Sequence, residues 1–442
     1  MASAFFPPAR NGLRGVVEAP GDKSISHRAV LLGCLSEETV EVSGFLRSAD
    51  TLATVEAVRA LGVTVDDRGD GRLSVEGHGW EGLREPEDVI DVKNAGTLMR
   101  LLPGILASLA FFTVLTGDAS IRRRPMARIL EPLQAMGAQI WARDHGRLPP
   151  ISVRGGPLSG VTHRMPVASA QVKSCLLLAG LRAAGETVIE EPGPSRDHTE
   201  RLLRRGGALV EREGAVDGPG RIRVAPMRGG LRLRSVTVPG DLSSAAFLLV
   251  AALLVPGSRI AVQGVGLNPT RTGLLQVLAR MGADLSVEYG ATDAEELVGS
   301  IRARSSELRA VDVGPDEVPL LIDELPIWAL AAARADGVSR LRGASELRVK
   351  ESDRLSALSA FLGSLGVHVA EHPDGLDIEG RPEGWDGGSV ASMGDHRLAM
   401  VGAVAGYVST QGVSVDDTDC MAVSYPGFAA TMEALTEGGS SA

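Results

Sequence analysis

The chain has 442 residues, of which 44% are hydrophobic and 3% aromatic, and its formal net charge is -10. Since single cores stop growing at about 250 to 300 residues, we expect at least two domains. The negative charge and the scarcity of aromatic rings argue against a surface for nucleic acid or anionic lipid. A local group of cations could still attract a small anion, because charges beyond about 8 Å are screened.

Targeting and membrane signals are weak. The first residues, MASAFFPPARNG, lack the charged head and apolar run of a signal peptide. The most apolar stretch, residues 98 to 117, is interrupted by Arg100, Pro103 and Gly104, so we expect no membrane segment. The three cysteines are far apart and odd in number, which predicts no disulfide framework or zinc site and favours the cytoplasm.

The predicted elements repeat six times along the chain. Each repeat has an apolar helix, then a short strand, then an amphipathic helix that ends at a glycine and runs towards another strand. In chain order the apolar helices are SISHRAVLLGCL, AGTLMRLLPGILA, SAQVKSCLLLAGL, LSSAAFLLVAALL, DELPIWALAAA and DHRLAMVGAVAGY. The amphipathic segments span 47 to 65, 124 to 140, 195 to 210, 268 to 285, 350 to 369 and 424 to 439. Their capping glycines are Gly62, Gly137, Gly207, Gly282, Gly366 and Gly438.

The opening of the first repeat, PGDKSISHRA at residue 20, is answered halfway along by PGDLSSAAF at residue 239. We therefore predict two similar α/β domains of three repeats each, residues 20 to 238 and residues 1 to 19 with 239 to 442. A solenoid of six equal repeats is the alternative, although solenoid repeats usually run only about 20 to 50 residues. The helices that are apolar all round should be buried, and the glycine-capped helices should lie nearer the surface.

Polar residues gather where the six apolar helices begin. They are Lys23, Ser24 and Arg28; Asn94, Gly96, Thr97 and Arg100; Ser169, Gln171 and Lys173; Asp241, Ser243 and Ser244; Asp323 and Glu324; Asp395, His396 and Arg397. Any single hydroxyl, amide or carboxylate there suits an ordinary N-cap. A cation at the positive end of a helix dipole is unfavourable unless an anion binds, so the recurring cations predict bound anions.

Lysine is rare in this chain, which contains only Lys23, Lys93, Lys173 and Lys350. All but Lys93, which should be solvated, fall at the start of a repeat helix. A compact ammonium can release a proton or contact a single phosphate oxygen, and a guanidinium does neither readily.

Two basic segments precede amphipathic helices. In RRRPM, the arginine favoured as a ligand is Arg124, because it is fixed beside Pro125 at the helix start. In KESDRL, we expect Lys350, Glu351 and Arg354 to share one helical turn, where the two cations repel unless an anion or acid lies between them. A mixed-charge surface helix is the alternative for this segment.

Known cofactor motifs are missing from the sequence. PGDKS lacks the spacing of a P-loop, no GxGxxG stands between a strand and a helix, and no close pair of histidines suits a metal. His27 and His396 suit capping or supporting roles, and Cys34 and Cys175 lie in apolar surroundings that raise the pKa of a thiol. We expect neither a cofactor nor a metal.

Nine stretches occur in the order of one known family: PGDKSISHRA, NAGTLMR, RPM, SAQVKS, SRDHTE, NPTRTG, IDELP, LRVKESDRL and GDHRLAM. Over essentially its whole length the chain resembles 5-enolpyruvylshikimate-3-phosphate synthases, with motifs of the class II branch. The resemblance implies an inside-out α/β barrel in each domain, built from three βαβαββ-type units, with the active-site cleft between the domains. It also implies transfer of the enolpyruvyl group of phosphoenolpyruvate to the 5-hydroxyl of shikimate 3-phosphate, by a monomer.

The resemblance assigns roles to residues at matching motif positions. Shikimate 3-phosphate would be held by Lys23, Ser24, Arg28, Ser169, Gln171 and Arg196, with Ala170 also in the substrate site. Phosphoenolpyruvate would be held by Lys23, Gly96, Thr97, Arg124, Arg354 and Arg397. Asp323 would accept the proton of the 5-hydroxyl, Glu351 would handle protons at the C3 methylene, and Lys350 and Lys23 would assist.

Two positions depart from the family pattern. Val423 stands where many relatives place a lysine, so the phosphate of phosphoenolpyruvate would depend more on Arg124, Arg397 and Lys23. Some glyphosate-tolerant class II members carry alanine where this chain has Gly96. The class II motifs therefore indicate tolerance, Gly96 indicates sensitivity, and the sequence leaves both open.

Two alternatives are set against this interpretation. A UDP-N-acetylglucosamine enolpyruvyl transferase would share the fold and donor, but it uses a cysteine in the loop that here reads GDASIRRRP. A non-catalytic repeat scaffold, or one domain of a fused multi-enzyme chain, is the other alternative. The ordered polar residues at the helix starts argue against a scaffold.

Overall fold

The computed structural model describes residues 2–293 and 296–438. The chain divides into two compact units: unit 1 comprises Met1–Pro20 and Pro239–Ala442, and unit 2 comprises Gly21–Val238. Each unit has its own hydrophobic core. Gly439, the last residue of the sixth predicted segment, lies outside the described residues.

The helices alternate between the apolar and amphipathic types along the chain. They are α1 (Lys23–Gly33), α2 (Ala49–Ala60), α3 (Gly96–Leu106), α4 (Ala127–Ala135), the single turn α5 (Arg143–Gly146), α6 (Ala170–Gly180), α7 (His198–Arg205), α8 (Leu242–Leu254), α9 (Gly273–Arg280), α10 (Val318–Leu321), α11 (Leu325–Ala332), α12 (Arg354–Ser364), α13 (His396–Val408) and α14 (Phe428–Glu437).

Short strands separate these helices. They are β1 (Ala4–Phe6), β2 (Arg14–Glu18), β3 (Thr39–Ser43), β4 (Val65–Asp67), β5 (Leu73–Glu76), β6 (Ile90–Asp91), β7 (Phe112–Thr116), β8 (Gln139–Ala142), β9 (Leu148–Arg154), β10 (Leu158–Ser159), β11 (Thr162–Arg164), β12 (Ala183–Ala184), β13 (Thr187–Glu191), β14 (Val210–Glu213), β15 (Gly220–Val224), β16 (Ser235–Thr237), β17 (Arg259–Gly266), β18 (Asp284–Asp293), β19 (Glu296–Arg304), β20 (Asp312–Val313), β21 (Val338–Leu341), β22 (His368–His372), β23 (Gly375–Glu379), β24 (Gly387–Val390) and β25 (Gly412–Val415).

The three four-stranded sheets of unit 2 share one construction, and a two-stranded parallel sheet, β10-β12, lies beside them in the chain. Their strand orders are β16-β3-β5-β4, β6-β7-β9-β8 and β11-β13-β15-β14. The first strand of each order pairs in parallel with the second, and the other pairs are antiparallel. β16, at the end of the unit, thus completes the sheet of the first repeat.

Unit 1 repeats this construction with two strands from the start of the chain. The orders β2-β17-β19-β18 and β20-β21-β23-β22 match those of unit 2, and the third sheet has the order β24-β25-β1. β2 pairs in parallel with β17, and β1 pairs antiparallel with β25. The predicted α/β class, with three similar repeats in each half, is confirmed.

The apolar helices form the cores, as predicted. Every residue of α8 and α11 is buried, and α3 is buried except at Thr97. The glycine-capped helices bury only one side; α9, for example, buries half of its eight residues. Close packing of α3 on α6 depends on Gly104, where a Cβ atom would lie 2.2 Å from the carbonyl oxygen of Cys175.

The six capping glycines all have left-handed backbone conformations, with φ from +76° to +102°. Only glycine adopts this region without strain, so the predicted helix ends are confirmed. Within the described ranges, no helix has the length and apolar character needed to span a bilayer.

Candidate active site

Lys23 is the first residue of α1, and its ammonium forms an ion pair with the carboxylate of Asp50 in the first turn of α2. The side chain of Lys23 is 19% exposed and that of Asp50 only 4%. Asp22 caps α1 by accepting a hydrogen bond from the backbone N–H of Ile25 at 2.8 Å. The lysine charge is therefore held where two helices begin and stays accessible from outside.

Arg28 lies one turn further along α1, and its guanidinium is oriented by three groups. Its Nε donates to Oγ1 of Thr199 at 2.7 Å, and its Nη2 donates to Oγ of Ser174 at 2.9 Å. Its Nη1 donates to the carbonyl oxygen of Ser24 at 2.9 Å. These contacts join α1 to α6 and α7, so the direction of the guanidinium depends on all three helices.

Two guanidinium groups converge on the start of α3. A Cβ atom at Gly96 would lie 2.9 Å from Nη1 of Arg100 and 3.0 Å from Nη1 of Arg124. Arg124 is buried and donates to Oδ1 of Asn94, while the neighbouring Arg122 is exposed. Burial therefore distinguishes Arg124 from Arg122, and its role as a ligand stays a prediction.

Ser169 caps the start of α6, and its Oγ accepts from the N–H of Val172 at 3.4 Å. Gln171 Nε2 donates to Oγ1 of Thr97 at 3.4 Å, so the starts of α6 and α3 are in contact. Ser169, Ala170 and Gln171 are all partly exposed. The polar helix starts of the second and third repeats therefore adjoin one another, with Gly96 and Arg124 on the same side of unit 2 as Thr97.

Lys173 does not fit its predicted role. Its side chain is fully buried, and its Nζ lies 2.6 Å from Oε1 of Glu200 and 3.1 Å from Oε1 of Glu191. Because two carboxylates of the protein already neutralise this ammonium, the prediction that Lys173 meets a bound anion is wrong. Lys93 is 63% exposed and pairs with Asp91, as expected of a solvated lysine.

In unit 1, Asp323 faces three cations. Its Oδ1 lies 3.6 Å from Nζ of Lys350 and 3.8 Å from Nη1 of Arg354. Its Oδ2 lies 3.9 Å from Nη2 of Arg397. Three cations of unit 1 therefore surround this carboxylate.

Arg354 is held by carboxylates on two sides. Its Nη2 donates to Oε2 of Glu351 at 2.6 Å, and its Nε donates to Oδ2 of Asp395 at 2.8 Å. Burial raises the pKa of Asp395, but the charge and the hydrogen bond of Arg354, together with the charge of His396, hold that pKa below its usual value. Burial lowers the pKa of Arg354, but these carboxylates raise it, and the net shift is upward. The guanidinium thus stays charged although only 1% of it is exposed.

The local structure of KESDRL differs from the prediction. α12 begins at Arg354, capped by Asp353, and Lys350 has a non-helical backbone with φ -80° and ψ -147°. Lys350, Glu351 and Arg354 therefore do not share a helical turn, because the cap starts the helix after the first two of them. Burial lowers the pKa of Lys350 more than Asp323 raises it, although 29% of the side chain remains exposed.

Several groups that orient these residues were missed in the sequence. Asp50 orients Lys23, and Thr199 and Ser174 orient Arg28. The sequence did offer a signal for Asp50, because it is a charged residue at the start of a glycine-capped helix. The segment KESDRL places charged residues at the same point of the fifth repeat. Hydroxyl groups such as Thr199 carry no comparable signal.

Cys34 and Cys175 are buried free thiols. Burial raises the pKa of Cys34 and that of Cys175 to about 12, so both stay protonated. In the part of the chain that the structure describes, no group of three His, Cys, Asp or Glu side chains is arranged to hold a metal ion.

Comparison with known proteins shows which family the chain resembles. The chain matches the family model of EPSP synthase (3-phosphoshikimate 1-carboxyvinyltransferase) over residues 8–432. It is 48% identical to the 3-phosphoshikimate 1-carboxyvinyltransferase of Geobacter sulfurreducens, covering 98% of this chain and 99% of that protein. It is 50% identical to the enzyme of the same name from Desulforudis audaxviator, covering 97% and 98%.

Solved structures agree with the sequence relatives. The EPSP synthase of Acinetobacter baumannii superposes with a TM-score of 0.85 at 41% identity, covering 97% of each chain. The enolpyruvyl transferase NikO of Streptomyces tendae has a TM-score of 0.75 at 19% identity, covering 98% of this chain and 97% of NikO, and shows a shared fold.

With its two units of three βα repeats, the chain has the fold of the enolpyruvyl transferases. Within that class, the chain belongs to the EPSP synthase (3-phosphoshikimate 1-carboxyvinyltransferase) family.

Proposed function

We propose that this chain transfers the enolpyruvyl group of phosphoenolpyruvate to the 5-hydroxyl of shikimate 3-phosphate and releases phosphate, a step of the shikimate pathway. The proposal is supported by family membership over nearly the whole chain. The observation that carries it is Asp323, a carboxylate placed against Lys350 and beside two arginines.

Shikimate 3-phosphate carries a phosphate and a carboxylate, which suit the polar helix starts of unit 2. Its proposed ligands are Lys23, Ser24, Arg28, Ser169, Gln171 and Arg196, together with Ala170. The guanidinium of Arg28 is pre-oriented by hydroxyl groups, so little reorganisation accompanies binding.

Phosphoenolpyruvate is the second anion, with proposed ligands Lys23, Gly96, Thr97, Arg124, Arg354 and Arg397. Gly96 leaves room between the guanidinium groups of Arg100 and Arg124, where a planar carboxylate or a phosphate can accept several hydrogen bonds. The replacement of a frequent lysine by Val423 places more of the phosphate charge on Arg124, Arg397 and Lys23.

The addition step forms a bond between the 5-oxygen and C2 of phosphoenolpyruvate. Asp323 takes the hydroxyl proton, while Glu351 delivers a proton to C3 and turns the methylene into a methyl group. Elimination then removes a proton from that methyl group as the C2–O bond to phosphate breaks. Lys350 orients the 5-hydroxyl, and the fixed cations stabilise the charge that develops.

The decisive assay measures phosphate release from phosphoenolpyruvate with each acceptor in turn. Release that requires shikimate 3-phosphate supports the proposal. Release with UDP-N-acetylglucosamine instead would refute it. The loop GDASIRRRP argues against that alternative, because it contains no cysteine. No release with either acceptor would favour a scaffold.

We further propose that the chain acts as a monomer in the cytoplasm. All three cysteines are free thiols, which suits a reducing compartment. Light scattering of the purified protein tests the monomer, and a mass of twice 46.1 kDa would contradict it.

A further inference from the structure

The segment 192–197, PGPSRD, carries Arg196 between β13 and α7 and has no regular secondary structure. Two prolines remove backbone donors from it, so few backbone hydrogen bonds can fix its path. Ser195, which precedes Arg196, is 6% exposed and is held at two atoms. Its carbonyl oxygen accepts from Nζ of Lys173 at 3.3 Å, and its Oγ donates to Oε1 of Glu191.

The two groups that hold Ser195 belong to a buried charge cluster. Lys173 Nζ contacts Glu191 and Glu200, and Nη1 of Arg212 lies 2.6 Å from Oε2 of Glu191. The side chains of Lys173 and Glu191 are fully buried. Two cations and two carboxylates balance, and this cluster ties α6, β13, α7 and β14 to the segment.

Stability alone is a weak reason for such a cluster. Buried ion pairs are often no more stabilising than apolar side chains of similar volume, because desolvation offsets their attraction. A cluster of this kind does fix geometry. The carbonyl of Ser195 belongs to the peptide plane that also contains the amide nitrogen of Arg196, so holding that oxygen sets the direction in which the arginine side chain leaves the chain.

We propose that Lys173 and Glu191 are positioning residues for Arg196: they hold the Ser195–Arg196 peptide so that the guanidinium is presented to shikimate 3-phosphate. This inference rests on the proposed function, in which Arg196 binds that substrate. It explains why a lysine at the start of an apolar helix is sealed in the core, away from any bound anion.

The test is the variant Lys173→Met, which keeps the length of the side chain and removes the ammonium. We expect the KM for shikimate 3-phosphate to rise about tenfold to a hundredfold, as misplacement of a binding group by about 1 Å does. The KM for phosphoenolpyruvate should change much less. Val65→Ala, a buried truncation in the same unit, is the control: it should lower Tm and leave both KM values unchanged.

A double-mutant cycle separates positioning from simple destabilisation. If Lys173 acts through Arg196, then Lys173→Met should have little further effect on the KM for shikimate 3-phosphate once Arg196→Ala is present. Additive effects, or an unchanged KM in Lys173→Met alone, would overturn the inference.

Ser195→Ala serves if Lys173→Met does not fold, because it removes only the hydrogen bond to Glu191. It should raise the same KM, by a smaller factor, and an unchanged KM would again overturn the inference. A wild-type enzyme without activity on shikimate 3-phosphate would instead refute the proposed function.

Discussion

The Nε atom of Arg354 lies 2.8 Å from Oδ2 of Asp395, and neither side chain is more than 1% exposed. The pair joins the first residue of α12 to the N-cap of α13. Asp395 Oδ1 also accepts from the backbone N–H of Arg397 at 3.0 Å. One carboxylate therefore orients one proposed phosphoenolpyruvate ligand and caps the helix that carries another.

Asp395→Asn should separate these two tasks, because asparagine can still cap a helix but brings no countercharge. We expect a loss of about 2 to 4 kcal/mol in the free energy of unfolding, since a buried guanidinium loses one of its carboxylates. The KM for phosphoenolpyruvate should rise. Urea unfolding and steady-state kinetics measure the two effects.

Asp353→Asn is the control for the cap, because Asp353 caps α12 with 41% of its side chain exposed. Its ion pair with Arg348 is screened, so we expect a change below about 1 kcal/mol. Equal losses in the two variants would mean that the Arg354 pair adds nothing beyond the cap.

Asp323→Ala removes the proposed general base. Turnover should fall about 100-fold to 10,000-fold, the usual contribution of a positioned base, while shikimate 3-phosphate still binds. Steady-state rates and calorimetric titration measure the two quantities. Asp312→Ala, which alters an exposed carboxylate of the same unit, is the control and should leave turnover unchanged. Unchanged turnover in Asp323→Ala would contradict the proposed role of Asp323.

Lys23→Arg tests why lysine stands at the start of α1. A planar guanidinium cannot occupy the place of a compact ammonium beside Asp50 without moving it, so kcat/KM should fall at least about tenfold. Lys93→Arg is the matched control, since Lys93 is 63% exposed, and it should have wild-type kinetics. Full activity in Lys23→Arg would show that lysine is incidental there.

Gly96→Ala places a methyl group about 3 Å from the ends of two guanidinium groups, Arg100 and Arg124, which must move. We expect weaker inhibition by glyphosate and a higher KM for phosphoenolpyruvate. Gly363→Ala, in α12, meets nothing within 4 Å and should stabilise the protein by about 0.5 to 1 kcal/mol without kinetic change. An unchanged inhibition constant in Gly96→Ala would show that the residue at position 96 does not control inhibition by glyphosate.

His27 should make stability depend on pH. Burial, and then the charges of Lys23 and Arg28, hold its pKa well below 6.5, and its Nδ1 lies 2.6 Å from Oγ1 of Thr54. Because the unfolded chain takes up the proton more readily, this contribution is complete above pH 6.5 and is lost as the pH falls below it. The slope reaches about 1.4 kcal/mol per pH unit.

Urea unfolding of the wild type and His27→Gln between about pH 7.5 and pH 5.5 isolates this term, since both proteins share every other titrating group. The wild type should lose more stability on acidification than the variant. Equal losses would show that folding does not change the pKa of His27.

The sequence by itself determined the repeats, the class of fold and the family. The capping glycines and the apolar helices are local features, since a left-handed helix end needs glycine and a helix that is apolar all round must be buried. These features can be recognised from residues that are close together in the sequence. The motifs at the helix starts, which identified the family, are also local.

Only the tertiary structure decided what each charged side chain meets. Lys23 and Lys173 both lie at the start of an apolar helix, yet the first remains partly exposed beside Asp50 and the second is sealed between Glu191 and Glu200. Those carboxylates come from β13 and α7, elements later in the chain that packing brings to α6. Whether a cation binds a substrate or stabilises the protein depends on such long-range contacts. Burial and nearby opposite charges set the energy of its charged form, and the residues beside it in the sequence determine neither.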